Sequence, residues 1–207
     1  MNKTEKFWDR LSKGTVEADS NLGSTSLELI ERIKKYLNES DKGLDFGCGR
    51  GALTIELAKS VSHIHGIDIS SVAIQGAMAS AELKGQKNTK FSHMTIDDTS
   101  LEPASLDFVC AFNILLHLPN LDTTLVQIHE LLEPKGLFIS STATLGEKRS
   151  AVSQLLKLAV KTKLTPSINF FEKDVLERAI QDAGFELIEV TVISDKYCEK
   201  FIVARKC

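Results

Sequence analysis

The chain has 207 residues, of which 43% are hydrophobic and 26% charged, and its formal net charge is -3. That length holds one domain with a full core, the composition is that of an ordinary globular protein, and the charge offers nucleic acid no global field. No apolar run approaches the roughly 18 residues a membrane span requires, and the polar start, Met1 to Lys6, has no apolar stretch behind it, so no secretory signal is expected. Cys48, Cys110, Cys198 and Cys207 lack any C-x-x-C spacing. They read as reduced thiols of a cytoplasmic protein, and no metal site is expected.

In chain order, residues 7–11 hold the only tryptophan, Trp8, and read as a short helix whose aromatic side chains patch the core. Residues 12–24 are polar and contain glycine, which suits a connection. Ser24, Thr25 and Ser26 with Glu28 form a helix start. Leu27, Ile30, Ile33 and Leu37 then recur on one helical face that should lie against a sheet. Next comes Gly43-Leu44-Asp45-Phe46-Gly47-Cys48-Gly49-Arg50-Gly51. Leu44 and Phe46 end a short buried strand. The alternating glycines let the backbone turn with positive φ and press against a ligand with no Cβ in the way. The following helix, 53–61, aims its amides and dipole at a negative group there. Thirteen residues past Gly51 begins a second apolar strand, Ile64-His65-Gly66-Ile67-Asp68-Ile69. Asp68 at its carboxyl end is placed to take both hydroxyls of a ribose. Together the glycine turn and this acid describe a site for a nucleoside-bearing cofactor.

Gly47, Gly49 and Ala52 also satisfy the loose dinucleotide pattern G-x-G-x-x-G/A, which leaves a nicotinamide oxidoreductase open. Asp45 argues against it. A pyrophosphate gains nothing from a carboxylate inside the strand end, whereas a cationic amino-acid tail does. With Gly51 the stretch reads D-x-G-x-G-x-G, which resembles motif I of the class I S-adenosylmethionine-dependent methyltransferases. The resemblance implies that Asp45, Gly47, Cys48, Gly49 and Gly51 wrap the methionine part of S-adenosylmethionine. It further implies that Asp68, with Ile69 beside it, holds the ribose, and that S-adenosylhomocysteine is the product. The fold it implies is a single α/β domain over 1–207, a doubly wound seven-stranded sheet with helices on both faces. Its strand order would be 3-2-1-4-5-7-6, with strand 7 antiparallel. N-terminal helices in similar enzymes often cover the cofactor, so residues 1–24, with Trp8, are expected to form a flap and connection.

Further along, Ser70 and Ser71 cap a helix carrying Val72, Ile74, Ala77, Met78 and Ala81, which ends at Gly85. Residues 90–96 read as the third strand. The acid with which similar enzymes contact the adenine falls here on Thr95, a departure from their pattern. Ile96 follows it with a backbone amide for the ring, and Asp97 or Asp98 can substitute for the acid. Residues 106–112 are nearly continuously apolar, as a strand covered on both faces should be, and run into Asn113 and His117. Ligands of such sheets bind beyond the carboxyl ends of the strands. Asn113 is therefore expected at the methionine end of the cofactor. His117, which matches a histidine of similar enzymes, is either the general base or a structural group bonded to backbone. His63, His65, His93 and His129 fall on strands or a helix away from that rim.

A helix over 121–132 carries Leu121, Leu125, Ile128 and Leu132 on one stripe. In the turn Glu133-Pro134-Lys135-Gly136 the glycine is expected to supply positive φ, and a fifth strand covers 137–141. The resemblance spans about 27–142. Residues 145–171 are more individual. Val152, Leu155, Leu156, Ala159 and Val160 follow helical spacing, and Lys148, Arg149, Lys157, Lys161 and Lys163 against Glu147 leave the segment positive by four. We read it as a helical lid over a substrate pocket, broken by Pro166, with Phe170 and Phe171 as an apolar wall. Such a basic amphipathic helix can also lie on a membrane surface or grip a partner through 148–163. A helix over 172–183, with Val175, Leu176, Ala179 and Ile180 inward and Gly184 as its stop, precedes strands at 185–193 and 199–205.

A sulfonium methyl is already activated, so its transfer asks mainly for alignment and exclusion of water, and alignment alone lowers a barrier by about 7–11 kcal/mol. No Asn/Asp-Pro-Pro-Tyr/Phe stretch follows the fourth strand, which lowers DNA adenine and glutamine acceptors, and no broad basic face speaks for RNA. A small-molecule acceptor is expected, through oxygen, nitrogen or carbon, and the apolar wall suits a hydrophobic or aromatic one. The general resemblance is closest to the quinone-biosynthesis-like group of small bacterial-type methyltransferases. Fold alone leaves one alternative, a non-catalytic S-adenosylmethionine-binding regulator or assembly partner.

Overall fold

The computed structural model describes residues 3–14, 23–98, 100–146, 151–162, 165–172, 174–194 and 198–207. Its strands are β1 Lys42–Phe46, β2 His63–Asp68, β3 Thr89–His93, β4 Leu106–Phe112, β5 Leu132–Ala143, β6 Phe185–Ser194 and β7 Glu199–Lys206. They form one seven-stranded sheet in the order β3-β2-β1-β4-β5-β7-β6, the order expected. The pairs from β3 through β5 are parallel. β7 runs antiparallel to both β5 and β6. The order reverses at β1, which lies between β2 and β4, so the crevice of the switch point opens above the carboxyl ends of those strands.

The helices are α1 Lys3–Gly14, α2 Ser24–Lys34, α3 Ala52–Leu57, α4 Ser71–Leu83, α5 Leu121–Leu131, α6 Ala151–Lys161 and α7 Val175–Asp182. One face of the sheet buries Ile30 and Ile33 of α2 and Leu57 of α3 against Ile64, Phe108 and Phe201. The other buries Leu125 and Ile128 of α5 and Leu176 and Ile180 of α7 against Leu44, Val109, Phe138 and Ile202. β4 thus sends Phe108 and Cys110 one way and Val109 and Ala111 the other, which explains the apolar run that follows Asp107. Burying a side chain such as Phe108 or Phe138 contributes about 1.5–3 kcal/mol. Gly43 leaves room for this packing, since a Cβ there would lie 2.0 Å from the Phe108 ring.

Several local expectations are corrected. In α2 the inward stripe is Leu29, Ile30 and Ile33, while Leu27 is 52% exposed. The N-cap of α2 is Gly23, with no side-chain cap. In α4 the inward residues are Ala73, Ile74, Ala77 and Ala81, and Met78 faces out. β3 ends at His93, and Ile96 is buried beyond it in a turn. In β5, Leu132 pairs with Leu106 and Leu137 with Phe108, so residues 133–136 loop out of the ladder. The positive φ there belongs to Lys135, at 69°, and not to Gly136. Gly136 is required for another reason, because its Cβ would stand 2.9 Å from the Glu133 carbonyl oxygen.

Beyond β5, α6 turns Leu155 and Leu158 outward, 72% and 60% exposed, so Leu155 is not part of an inward face. The side chain of Val152 and the residues Glu147, Lys148, Arg149 and Lys163 lie outside the described part, as does most of the expected 12–24 connection. α7 begins only at Val175, after Asp174 at φ 61°, and Val175 faces solvent while Leu176 and Ile180 are fully buried. On the outermost strand, β6 shifts register twice against β7, between Leu187 and Glu189 and between Val192 and Ser194. No helix among the described residues is long and apolar enough to cross a membrane.

Candidate active site

β1 delivers Asp45 and the glycine loop to the switch point. Gly47, Gly49 and Gly51 all have positive φ, at 77°, 54° and 78°. The Gly47 and Cys48 amides donate to the Ile67 carbonyl at 2.9 and 3.0 Å, which ties the loop to β2. A Cβ on Gly47 would lie 2.9 Å from Ile114, and one on Gly51 would lie 2.9 Å from Ala77 and from Phe91. Those two glycines are packed from behind. A Cβ on Gly49 would meet nothing within 4 Å, so this is the open side of the loop.

Asp45 is almost wholly buried, and its Oδ2 accepts from Thr54 Oγ1 at 2.5 Å. Its other oxygen, Oδ1, is buried without a hydrogen-bond partner. Burial pushes its pKa up to about 7, the Asp68 charge adds to this, and the Thr54 hydroxyl opposes it. An unsatisfied buried acceptor costs about 1–3 kcal/mol, which a donor brought to Oδ1 would recover. Asp68 accepts from the Gly49 amide on Oδ2 at 2.9 Å and from the Ser70 amide on Oδ1 at 2.8 Å. Burial raises its pKa against these two bonds, and each oxygen keeps a further lone pair for a hydroxyl donor.

The remaining expected residues divide. The Cys48 thiol packs toward Gly66 of β2, and burial holds it neutral by raising its pKa well above the usual thiol value. The Ile69 carbonyl is 3.0 Å from His93 Nε2, which also lies 3.5 Å from Glu5. His93 therefore stands at the rim, contrary to its expected distance from it. Ile96 packs into the core, and the Asp97 carboxylate accepts from Gln127 at 2.6 Å.

Asn113 is at the end of β4 with φ 52°. Its Oδ1 accepts from the Ala143 amide at 3.2 Å and its Nδ2 donates to Glu199 at 3.2 Å. Ser141 Oγ donates to the same Glu199 oxygen at 2.5 Å. The Asn113 side chain thus lies along β5 and β7 and is engaged there, where a contact with the cofactor tail had been expected.

His117 closes a 3-10 turn, Leu115–His117, after β4. Its Nδ1 is buried without a partner. Burial lowers its pKa, partly offset by a hydrogen bond to the Ser167 backbone. The Trp8 ring of α1 packs edge-on against the imidazole, with centroids 4.7 Å apart. Asn169 fastens the segment around Ser167 to the same turn: its amide donates to the Leu116 carbonyl and its Nδ2 to the Leu118 carbonyl, both at 2.7 Å. Phe171 is buried in the core, and Phe170 lies under Lys157 Nζ, 5.1 Å from the ring centroid. Both phenylalanines border an open cleft of about 580 Å³ at the start of α5, which residues 119–123 also line.

The structure therefore assembles Asp45, the three glycines and Asp68 as one unit, and Trp8 with His117 as another. Thr54, Ser70, Asp9 and Asn169 complete them and were not identified as site residues from sequence. Ser70 was readable as a cap, but nothing local marks Thr54 as the partner of an acid in the preceding strand.

A model of the methyltransferase domain family matches residues 19–190. The chain belongs to that family, and S-adenosylmethionine is its cofactor. It is 28% identical over 195 residues to a ubiquinone biosynthesis O-methyltransferase of Aromatoleum aromaticum, covering 91% of this chain and 81% of the relative. A ribosomal protein L11 methyltransferase of Bacillus pumilus is 29% identical over 83% of this chain, which spans only 46% of that relative's length. In structure, the chain resembles phosphoethanolamine N-methyltransferase 2 of Haemonchus contortus, solved with S-adenosylmethionine, at a TM-score of 0.80 and 16% identity, over all of this chain and 60% of the other. The site fits the cofactor on its own evidence. The loop is open at Gly49, and Asp45 presents a buried oxygen in want of a donor.

Proposed function

We propose that this enzyme methylates a hydroxyl of a small molecule, with His117 as the group that accepts the hydroxyl proton. The observation that carries this reading is the His117 Nδ1, buried, without a partner and held toward its neutral form at the carboxyl end of β4. A neutral imidazole with one nitrogen tied to backbone and the other free is a competent base near neutral pH. The cofactor, when bound, supplies an activated methyl group. Around it, Asp45 would hold the ammonium of the amino-acid tail, the open face of Gly49 would admit the chain close to the backbone, and Asp68 with Ile69 would hold the ribose. Ile96 and Asp97 would lie on the adenine side. α1 would act as the cover, with Trp8 excluding water over His117, and the segment carrying Phe170 and Phe171 would wall the acceptor. The chain spans 81% of the Aromatoleum relative, whose name specifies O-methylation, and 46% of the Bacillus relative, whose name specifies a ribosomal protein, and this difference in coverage supports a small-molecule oxygen acceptor.

The test is transfer of labelled methyl groups from S-adenosylmethionine to a panel of small phenols and carboxylic acids, followed by His117→Ala on any acceptor found. The variant should lose roughly 10²–10⁴-fold in turnover and far less in its affinity for S-adenosylhomocysteine. Equal loss of both would make His117 structural, and transfer to ribosomal protein alone would overturn the acceptor class.

A further inference from the structure

α1 is held in place by an acid of its own. Asp9 is only 8% exposed, and its Oδ1 accepts from Ser70 Oγ at 2.7 Å and from the Val72 amide at 3.3 Å. Ser70 is the N-cap of α4, its Oγ accepting from the Ala73 amide at 3.1 Å. The amide of the same Ser70 donates to Asp68 at 2.8 Å. One serine therefore binds the β2 acid through its backbone and the α1 acid through its hydroxyl. One turn before Asp9, Glu5 reaches His93 at 3.5 Å, and His93 in turn touches the Ile69 carbonyl. The acidic side of α1 is thus seated on the β2–α4 junction, while the residue next to Asp9, Trp8, is seated on His117.

We propose that Asp9 is a positioning residue that couples cofactor binding at Asp68, through Ser70, to closure of α1 over His117. This rests on the reading that Asp68 holds the cofactor and His117 the acceptor's proton. Because Ser70 has one position in which all of these bonds form, a ligand that fixes Asp68 favours the seated α1, and a seated α1 favours the ligand in equal measure. Asp9 touches none of the reacting atoms and acts through Trp8 and Ser70.

Trp8 is the only tryptophan in the chain, so its emission reports the seating of α1 directly. S-adenosylhomocysteine is titrated into the wild-type chain and into Asp9→Ala, Asp9→Asn and Asp68→Ala, with Kd read by calorimetry and Trp8 emission recorded throughout. Asp9→Ala should bind roughly fivefold or more weakly. Its emission should be that of a water-exposed indole that the ligand no longer shifts. Asp9→Asn keeps an oxygen able to accept both bonds and should recover most of the affinity and the emission change. A wild-type Kd and ligand response in Asp9→Ala would overturn the coupling, as would a loss that Asp9→Asn does not repair. Should Asp68→Ala bind normally, the cofactor reading beneath the proposal falls with it. If only Asp68→Ala fails to bind, the reading stands and the coupling alone is overturned.

Discussion

Asp45 is the residue whose chemistry is most open to measurement. Its pKa of about 7 lies far above the ordinary 3.8 for an aspartate, with burial as the main cause. A raised carboxyl pKa means that the folded protein holds a proton the unfolded chain releases. This contribution to stability is complete below about pH 3.8 and is lost as pH rises to about 7. An ammonium needs the ionised form, so S-adenosylhomocysteine should bind more tightly as pH rises through 7, and below it should release a proton. Calorimetry in buffers of different ionisation enthalpy would show that release, and Asp45→Asn should abolish it. The neighbouring glycines separate two effects. Gly49→Ala meets only backbone strain of about 1–2 kcal/mol and should fold but bind cofactor poorly. Gly51→Ala adds to such strain contacts at 2.9 Å to Ala77 and Phe91 and should lower Tm further. Equal melting temperatures for the two variants would contradict this division.

At the scale of elements, α7 is fastened to β7 by a buried ion pair, Lys200 Nζ to Glu177 at 2.7 Å. Removing one partner of such a pair strands the other charge, so Lys200→Met should cost about 3–5 kcal/mol, whereas replacing both residues by apolar ones should cost much less. Urea denaturation of the single and double variants distinguishes the two. The pair also shows what could be read in the chain and what could not. The D-x-G-x-G-x-G loop, the strand ending in Asp68 and the apolar run of β4 are local patterns, and each formed where its pattern lay. Leu27 and Leu29 are two residues apart on similar helical spacing, and only the angle at which α2 meets the sheet decides between them. Asn113 was drawn off by Glu199, a residue of the last strand, 86 positions away. Asp9 meets Ser70 across 61 positions. Contacts of that separation depend on strand order, and no spacing rule encodes them.

For the whole molecule, a cofactor held as proposed, by β1, β2 and the loop between β1 and α3, should stabilise the entire fold on binding. At 100 times its Kd, S-adenosylhomocysteine should add about 2.7 kcal/mol, which for a chain of this size raises Tm by roughly 5–10 °C. NAD at the same concentration should leave Tm unchanged, and an equal shift by NAD would refute the preference. The two ends of the sheet matter to the molecule in a different way. β3, at one margin, is five residues long and carries Lys90, and β6, at the other, breaks its register with β7 twice. A strand margin with free amides and carbonyls is a template on which another chain can grow. A short charged border on one side and a twice-buckled one on the other deny a second copy a straight row to zip against. Exposed Val190 and Val192 lie on that buckled outer strand.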